Sequence, residues 1–274
     1  MIKSISFWSF PDGMTIEQRM TMAKDYGFEA IELTVEGEGE ITPDSSPDDM
    51  QKFVDMADRI GLKLPTLATG LGWAYPAIGP DPEVCAKGIE IIRTSLQLAA
   101  ALGAKTFLVV PGTVTADYSY DEAYDDCVDV FTDLGAYAED AGVYIGLEYV
   151  WNKFLLSPLE FAGIIDEINK EYVQAYFDVG NVIPNGFPEQ WIRILGDRIK
   201  AVHFKDFRES IGTGTFDGFV DLLEGDVPWA AVMEALEEIG YDGPVTAEMM
   251  PPYPYYPERL IEATSRSMDV ILGR

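Results

Sequence analysis

The chain has 274 residues, of which 47% are apolar and 24% are charged, a composition typical of a globular protein with a sizeable core. Its formal net charge of −28 argues against nucleic acid or an anionic membrane as a partner, because such binding depends on contacts from Lys and Arg. The sequence lacks both a signal-peptide pattern and an apolar run near the roughly 20 residues of a membrane span, so we expect a cytoplasmic protein.

Short runs of β-branched and aromatic residues alternate with amphipathic segments along the whole chain. In chain order the runs predict eight strands, at residues 5–10, 30–35, 62–69, 105–112, 143–150, 173–182, 199–207 and 244–250. The segments after each of these runs carry apolar residues three or four positions apart, which is the spacing of a helix packed on one face.

Several of the predicted helices carry recognisable end signals. Ser157 and Pro158 supply a capping side chain and a proline at the first helical position. Glycines stand where four of the helices should stop, at Gly61, Gly103, Gly142 and Gly240.

Eight strand-then-helix units in about 250 residues are typical of a barrel of parallel strands. A doubly wound sheet would usually have fewer strands and a GxGxxG turn, which this sequence lacks. We therefore predict an α/β protein, a (β/α)₈ TIM barrel, with residues 1–274 forming a single domain.

Polar residues interrupt the last part of four consecutive predicted strands. They are Glu148, Asp178, Glu248 and His203, the only histidine of the chain. In this fold the carboxyl ends of the strands meet at one mouth, so we expect the four side chains to converge. Three ionised carboxylates in a barrel mouth would repel one another and cost several kcal/mol unless a cation offsets their charge.

A divalent cation would remove this repulsion. Three carboxylates and one imidazole suit Mn²⁺, Mg²⁺ or Co²⁺, with Mn²⁺ preferred, and leave positions open for a substrate. The alternative is that each acid caps a loop or pairs with a lysine, at Lys105, Lys153 or Lys205. Four polar residues in register on consecutive strands favour the metal site.

Five stretches of the sequence resemble a known family. They read LEYVWNKFLLSPLEF (147–161), YFDVGNV (176–182), AVHFKDF (201–207), DLLEGDVPW (221–229) and IGYDGPVTAEM (239–249). The chain resembles the xylose-isomerase-like TIM barrels, and among them the sugar-phosphate isomerases and epimerases that include ketose 3-epimerases and pentulose-phosphate 3-epimerases.

By this resemblance, Glu148, Asp178, His203 and Glu248 match the metal ligands of the family, and the two glutamates match its acid/base pair. The implied reaction is the epimerisation of a ketose at C3. One glutamate would remove a proton beside the carbonyl and the other would return a proton to the opposite face, through an enediolate. The substrate would be a pentulose or hexulose, free or phosphorylated.

The sequence departs from the free-sugar epimerases at two positions. Asn181 stands where their strand-six motif has a histidine, and Phe154 replaces a further glutamate. Both changes weaken a direct transfer of substrate from those enzymes. The Asp-x-Gly-Asn and His-x-Lys-Asp patterns of this sequence more closely resemble the branch that acts on phosphorylated pentuloses. In addition, Leu223 and Glu224 stand where the family usually has a Gly-Glu pair.

The resemblance also suggests contacts to the substrate, from Asn152, Asn181, Lys205 and Arg208. The glycine-rich segment 211–218 could cradle a phosphate, form a lid or be an ordinary loop. Relatives commonly form homodimers or homotetramers, so we expect one of these assemblies.

Other functions use the same barrel. A metal-dependent dehydratase of a keto-inositol or a related cyclic keto-polyol also begins by removing a proton beside a carbonyl, and it is the main alternative. The endonuclease branch would need several histidines for its zinc cluster. A barrel that binds sugar without turnover would be expected to lose acids that serve only chemistry.

Overall fold

A computed structural model describes residues 1–211 and 215–274, and within them the predicted barrel is present. Eight parallel strands close on themselves in the order β1-β10-β7-β6-β5-β4-β3-β2. The barrel strands are β1 (Ile2–Ser6), β2 (Ala30–Val35), β3 (Thr66–Thr69), β4 (Thr106–Val109), β5 (Tyr144–Glu148), β6 (Val173–Asp178), β7 (Ile199–Phe204) and β10 (Pro244–Ala247). Two short strands, β8 (Asp206–Phe207) and β9 (Phe219–Val220), form a separate antiparallel pair.

Helices surround the barrel, and each barrel strand is followed by one α-helix. They are α1 (Ile16–Asp25), α2 (Gln51–Ile60), α3 (Pro82–Leu102), α4 (Tyr120–Ala141), α5 (Pro158–Ile168), α6 (Pro188–Leu195), α7 (Trp229–Glu238) and α8 (Pro257–Ile271). This arrangement confirms the predicted (β/α)₈ fold. No helix in the described part of the chain is both long and apolar enough to cross a membrane.

The predicted helix ends are also present. The Ser157 hydroxyl accepts a hydrogen bond from the Glu160 amide at 3.2 Å, and Pro158 is the first residue of α5. Gly61, Gly103 and Gly142 end their helices in the left-handed region, with φ of 83°, 76° and 65°. These positions favour glycine because it lacks a Cβ that would clash there.

Seven of the eight barrel strands are shorter than their apolar runs, and a local reason is visible for three of them. After Ser6 the chain turns into a 3₁₀ helix, Phe7–Ser9, so that the predicted strand 5–10 becomes Ile2–Ser6. Pro65, which lacks a backbone donor, immediately precedes β3. The predicted strand 199–207 breaks at Lys205, and its last two residues pair with β9. The predicted phosphate-cradling glycines of segment 211–218, at 212 and 214, lie outside the described residues.

The bottom of the barrel is tied to the last helix by a buried lysine. The Lys3 ammonium on β1 donates to the Ser265 hydroxyl at 2.8 Å and pairs with Asp269 at 2.5 Å, both on α8. The ammonium therefore has an acidic partner, which offsets the cost of burying its charge. The polar residues predicted at the strand ends lie at the opposite end of the barrel, where the strands finish.

Close packing of α3 against the loop after β3 depends on one glycine. A Cβ on Gly88 would lie 2.4 Å from the carbonyl oxygen of Tyr75 and 2.6 Å from that of Pro76. Both atoms belong to the backbone, so neither can move cheaply. This loop also carries Trp73, whose place at the mouth of the barrel is described below.

We expect Gly88→Ala to lower the free energy of unfolding by about 1–3 kcal/mol, because the added methyl group must displace backbone atoms. Gly163 in α5 is the matched control, since a Cβ there meets nothing within 4 Å. Gly163→Ala should raise the stability by about 0.5–1 kcal/mol through helix propensity. Urea denaturation at equal m-value measures both, and a neutral Gly88→Ala would show that the loop is not held against α3.

Candidate metal centre

The four polar residues predicted at strand ends meet at the carboxyl-terminal mouth of the barrel. Glu148 ends β5, Asp178 ends β6, His203 is the next-to-last residue of β7, and Glu248 directly follows β10. Strands β5, β6, β7 and β10 are successive neighbours, and Asp178 lies directly opposite His203 in the ladder. Glu148 lies opposite Tyr176, two residues before Asp178, and His203 lies opposite Thr246, two residues before Glu248. A stagger of this kind is expected between the tilted strands of a barrel.

The carboxylates face one ring nitrogen of the histidine. Nδ1 of His203 lies 3.4 Å from Glu248 Oε2, 3.5 Å from Glu148 Oε1 and 3.9 Å from Asp178 Oδ2. One ligand atom from each of the four residues can be chosen so that all lie within 4.8 Å of one another, and all four residues are buried. The atoms enclose one small volume, as the ligands of a single ion would.

Asp178 divides its two oxygens between the loop and the centre. Oδ1 accepts hydrogen bonds from the backbone amides of Gly180 at 2.8 Å and Asn181 at 2.9 Å. The loop must turn tightly for this, and a Cβ on Gly180 would lie 2.7 Å from the carbonyl oxygen of Lys205. Oδ2 is buried, and the only described group that contacts it favourably is the ammonium of Lys205, at 3.3 Å.

A fifth buried acid, Glu32 on β2, sets the orientation of the imidazole. Its Oε1 lies 2.9 Å from His203 Nε2, and its Oε2 accepts a hydrogen bond from the Tyr176 hydroxyl at 2.7 Å. Because a carboxylate can only accept, this pairing places a proton on Nε2 and turns Nδ1 toward the three acids. A carboxylate behind a histidine in this way is the usual support of a metal-binding imidazole. Although burial opposes ionisation of Glu32, its pKa is lowered by His203.

The sequence analysis missed Glu32. The signal in the sequence was an acidic residue in the middle of the apolar run AIELTV. Such a residue is easily overlooked, because successive side chains of a strand point to opposite faces and a charged one can face outward. In the structure every residue of this strand is buried.

Lys205 supplies a positive charge beside the acids. Its ammonium pairs with Asp178 at 3.3 Å and makes a shorter contact with Glu248, and it lies 4.7 Å from the centre of the Phe219 ring. Burial opposes the charged form, but Asp178 and Glu248 raise the pKa of Lys205 above its ordinary value. The predicted alternative of lysine pairing is thus partly present, whereas Lys105 and Lys153 are exposed.

The charges at this mouth remain unbalanced without a cation. Four buried carboxylates face one ammonium and one imidazole, and burial raises the pKa of Glu148 to about 7. His203 Nδ1 makes no hydrogen bond of good geometry with a described residue. An oxygen-rich donor set with one outward nitrogen and a deficit of positive charge fits a divalent cation.

The predicted substrate contacts fall into two groups. Asn181 and Lys205 line the cavity above the centre, and the Asn181 amide donates to Glu148 Oε1 at 3.4 Å. Asn152 is buried and does not line this cavity, and its amide donates to the carbonyl oxygen of Gly112 at 2.6 Å. Arg208 donates to the backbone carbonyl of Glu224 and does not line the cavity.

Asp206 organises the stretch 221–229 that resembles a family signature. Its carboxylate accepts from the amides of Leu223 at 2.9 Å and Val227 at 3.2 Å and from the Trp229 indole at 3.0 Å. A Cβ on Gly225 would lie 2.0 Å from this carboxylate. Leu223, which stands where the family usually has glycine, has a φ of 77°. Position 223 therefore has a left-handed backbone conformation, which glycine adopts more easily than leucine.

Comparison with known proteins identifies the family of the chain. The sequence pattern of the xylose isomerase-like TIM barrels matches residues 20–269. The chain belongs to this family. The prediction of a sugar isomerase-like enzyme is thereby confirmed at the level of the family.

Relatives of known name are epimerases of sugars. Over 244 residues the chain is 26% identical to L-ribulose-5-phosphate 3-epimerase UlaE of Salmonella heidelberg, a match that covers 88% of this chain and 84% of the relative. UlaE of Escherichia coli is also 26% identical, over the same shares of the two chains.

Solved structures share the barrel at low sequence identity. A D-psicose 3-epimerase crystallised with D-fructose has a TM-score of 0.83 at 17% identity, with 100% of both chains covered. The IOLI protein, whose structure has a bound zinc atom, has a TM-score of 0.82 at 20% identity, with 100% of this chain and 98% of the other covered. At this identity the likeness shows the fold.

We expect Glu32→Gln to weaken divalent-metal binding by about 10–100-fold, because a neutral amide supports the imidazole less well than a carboxylate does. Isothermal titration with Mn²⁺ measures the change. Tyr176→Phe is the matched control, because it removes only the hydroxyl group that contacts Glu32 and should have a smaller effect. Wild-type affinity in Glu32→Gln would contradict the orienting role.

Proposed function

We propose that this protein is a divalent-metal-dependent epimerase that inverts C3 of a ketose or ketose phosphate. The observation that carries the proposal is the buried set of three carboxylate oxygens and one imidazole nitrogen, within 4.8 Å of one another, at the mouth of the barrel. Two of the carboxylates belong to glutamates, which can exchange protons with a bound sugar.

The relatives support the same chemistry. The UlaE proteins are named as 3-epimerases of L-ribulose 5-phosphate, and two of the structures that share the fold are named as D-psicose and L-ribulose 3-epimerases. The zinc atom bound by the IOLI protein shows that a barrel of this fold can hold a metal ion.

Glu148, Asp178, His203 and Glu248 would hold the cation. A set rich in carboxylate oxygen favours Mn²⁺, with Mg²⁺ and Co²⁺ as alternatives. When bound, the ion would polarise the ketose carbonyl and stabilise the negative charge of the enediolate.

The protons would be moved by the two glutamates. Glu148 and Glu248 come from β5 and β10, with β6 and β7 between them, so they approach a sugar in the cavity from different sides. One carboxylate would remove the C3 proton and the other would return a proton to the opposite face. Asn181 and Lys205, which line the cavity, would hold sugar oxygens, and Asn152 and Arg208 are proposed contacts from the family resemblance.

A homodimer or homotetramer in the cytoplasm is the setting that we propose for this activity. The assembly is carried over from the resemblance to the family. The net charge of −28 disfavours nucleic acid and anionic membrane as partners.

Removal of the metal should abolish the reaction. We expect the incorporation of solvent deuterium at C3 of a ketose to stop after dialysis against a chelator and to return on addition of Mn²⁺, because the buried carboxylates need a cation. Mass spectrometry of pentuloses, hexuloses and their terminal phosphates measures the exchange. Loss of water from a substrate in place of a changed configuration would favour the dehydratase, and exchange that is insensitive to chelation would refute the metal site.

Replacement of one glutamate should separate chemistry from folding. We expect Glu248→Gln to lower the exchange rate by about 10²–10⁴-fold, since an amide cannot take up or release the proton. Circular dichroism should show an unchanged fold. Glu237→Gln, on the exposed face of α7, is the control and should keep full activity. An active Glu248→Gln variant would remove this residue from the acid/base pair.

A further inference from the structure

The cavity above the metal centre has more room than a single five- or six-carbon sugar fills. Its volume is about 580 Å³, which lies within the range of about 300–1,000 Å³ for pockets that hold drug-sized ligands. The acids and Lys205 occupy the sector formed by β5, β6, β7 and β10. The remaining sector, toward β3 and β4, has a different character.

This second sector is apolar. Leu108 and Val110, from β4 and the residue after it, form a cluster with Ala68 of β3 and Val150, against which the Trp8 ring packs. Trp73 stands at the rim, where 59% of its surface is exposed. An exposed tryptophan beside a deep cavity is a surface on which the apolar face of a ring can stack.

A further aromatic wall adjoins the acids. Trp151 stacks on Phe219 with ring centres 5.1 Å apart and an angle of 8° between the planes. The Trp151 indole donates to the carbonyl oxygen of Asn181 at 3.0 Å, which fixes the ring beside the metal centre. Both rings line the cavity, so aromatic surfaces are present next to the acids as well as in the second sector.

The described lining offers little to a phosphate group. Lys205 is its only cation, and Asp178 and Glu248 already engage the ammonium. The Thr69 hydroxyl donates to the carbonyl oxygen of Val35 at 2.8 Å and is thus committed.

We infer that the substrate is an uncharged ketose whose far end carries a second ring, such as another sugar joined by a glycosidic bond. The keto end would lie at the acids and the second ring would lie against Trp8 and Trp73. The inference rests on the proposed function for the placement of the keto group. The second ring itself is inferred from the volume, from the aromatic walls and from the shortage of unengaged cations among the described lining residues.

Three compounds that differ only at O6 of D-fructose test this inference. They are D-fructose, D-fructose 6-phosphate and 6-O-glucosylfructose (isomaltulose). With the Mn²⁺-loaded protein, we expect kcat/KM for deuterium exchange at C3 to be highest for isomaltulose and lowest for the phosphate. A preference for the phosphate or for free D-fructose would overturn the inference while leaving the epimerase intact.

Variants of exposed aromatic residues locate the second ring. Trp73→Ala should lower the ratio of kcat/KM for isomaltulose to that for D-fructose by about tenfold, the value of one stacked ring. Phe187→Ala is the control, because Phe187 is 62% exposed and does not line the cavity, and it should keep the wild-type ratio. An unchanged ratio in Trp73→Ala would overturn the assignment of this wall.

A binding measurement can show whether the inferred substrate class is wrong or the proposed reaction is wrong. Quenching of tryptophan fluorescence reports the affinity of the protein for each of the three compounds. Tighter binding of isomaltulose without exchange into any compound would support the second ring and remove the proposed epimerisation. Equal or weaker binding of isomaltulose than of the phosphate would overturn the inference whether or not exchange occurs.

Discussion

The repulsion among buried acids at one end of the barrel is the constraint on which the rest of the site depends. Glu148, Asp178 and Glu248 each approach the same imidazole nitrogen within 4 Å, and Glu32 lies behind the ring. Each uncompensated carboxylate in such a position costs several kcal/mol. Lys205 offsets only part of this charge, and the cation proposed above would offset more of it.

The positions of the four central residues could be predicted because each breaks a simple pattern. A charged or imidazole side chain at the end of an apolar run is conspicuous, and the geometry of a parallel barrel brings strand ends to one mouth. The structure does place Glu148, Asp178, His203 and Glu248 together. Their roles in binding metal and moving protons are proposals that the placement supports.

Other features could not be predicted because they depend on long-range packing. Glu32 and His203 are 171 residues apart in sequence, and nothing local in AIELTV indicates that all its side chains are buried. The family resemblance suggests Asn152 as a substrate contact, but in the structure its amide donates to the carbonyl oxygen of Gly112. Trp8 and Trp73 follow β1 and β3, which both pair with β2, so the sheet brings the two residues to one side of the mouth although 65 positions separate them in sequence.

The contact between Glu32 and His203 brings residues from both halves of the barrel into the centre. The second half of the chain supplies all four proposed ligands, whereas the residue that fixes the imidazole tautomer comes from the second strand of the first half. A fragment containing only the last four β/α units would hold the donor atoms without the group that selects which nitrogen faces them. Correct orientation of the imidazole toward the proposed ion therefore depends on contact between the two halves, which the joining of β1 with β10 completes.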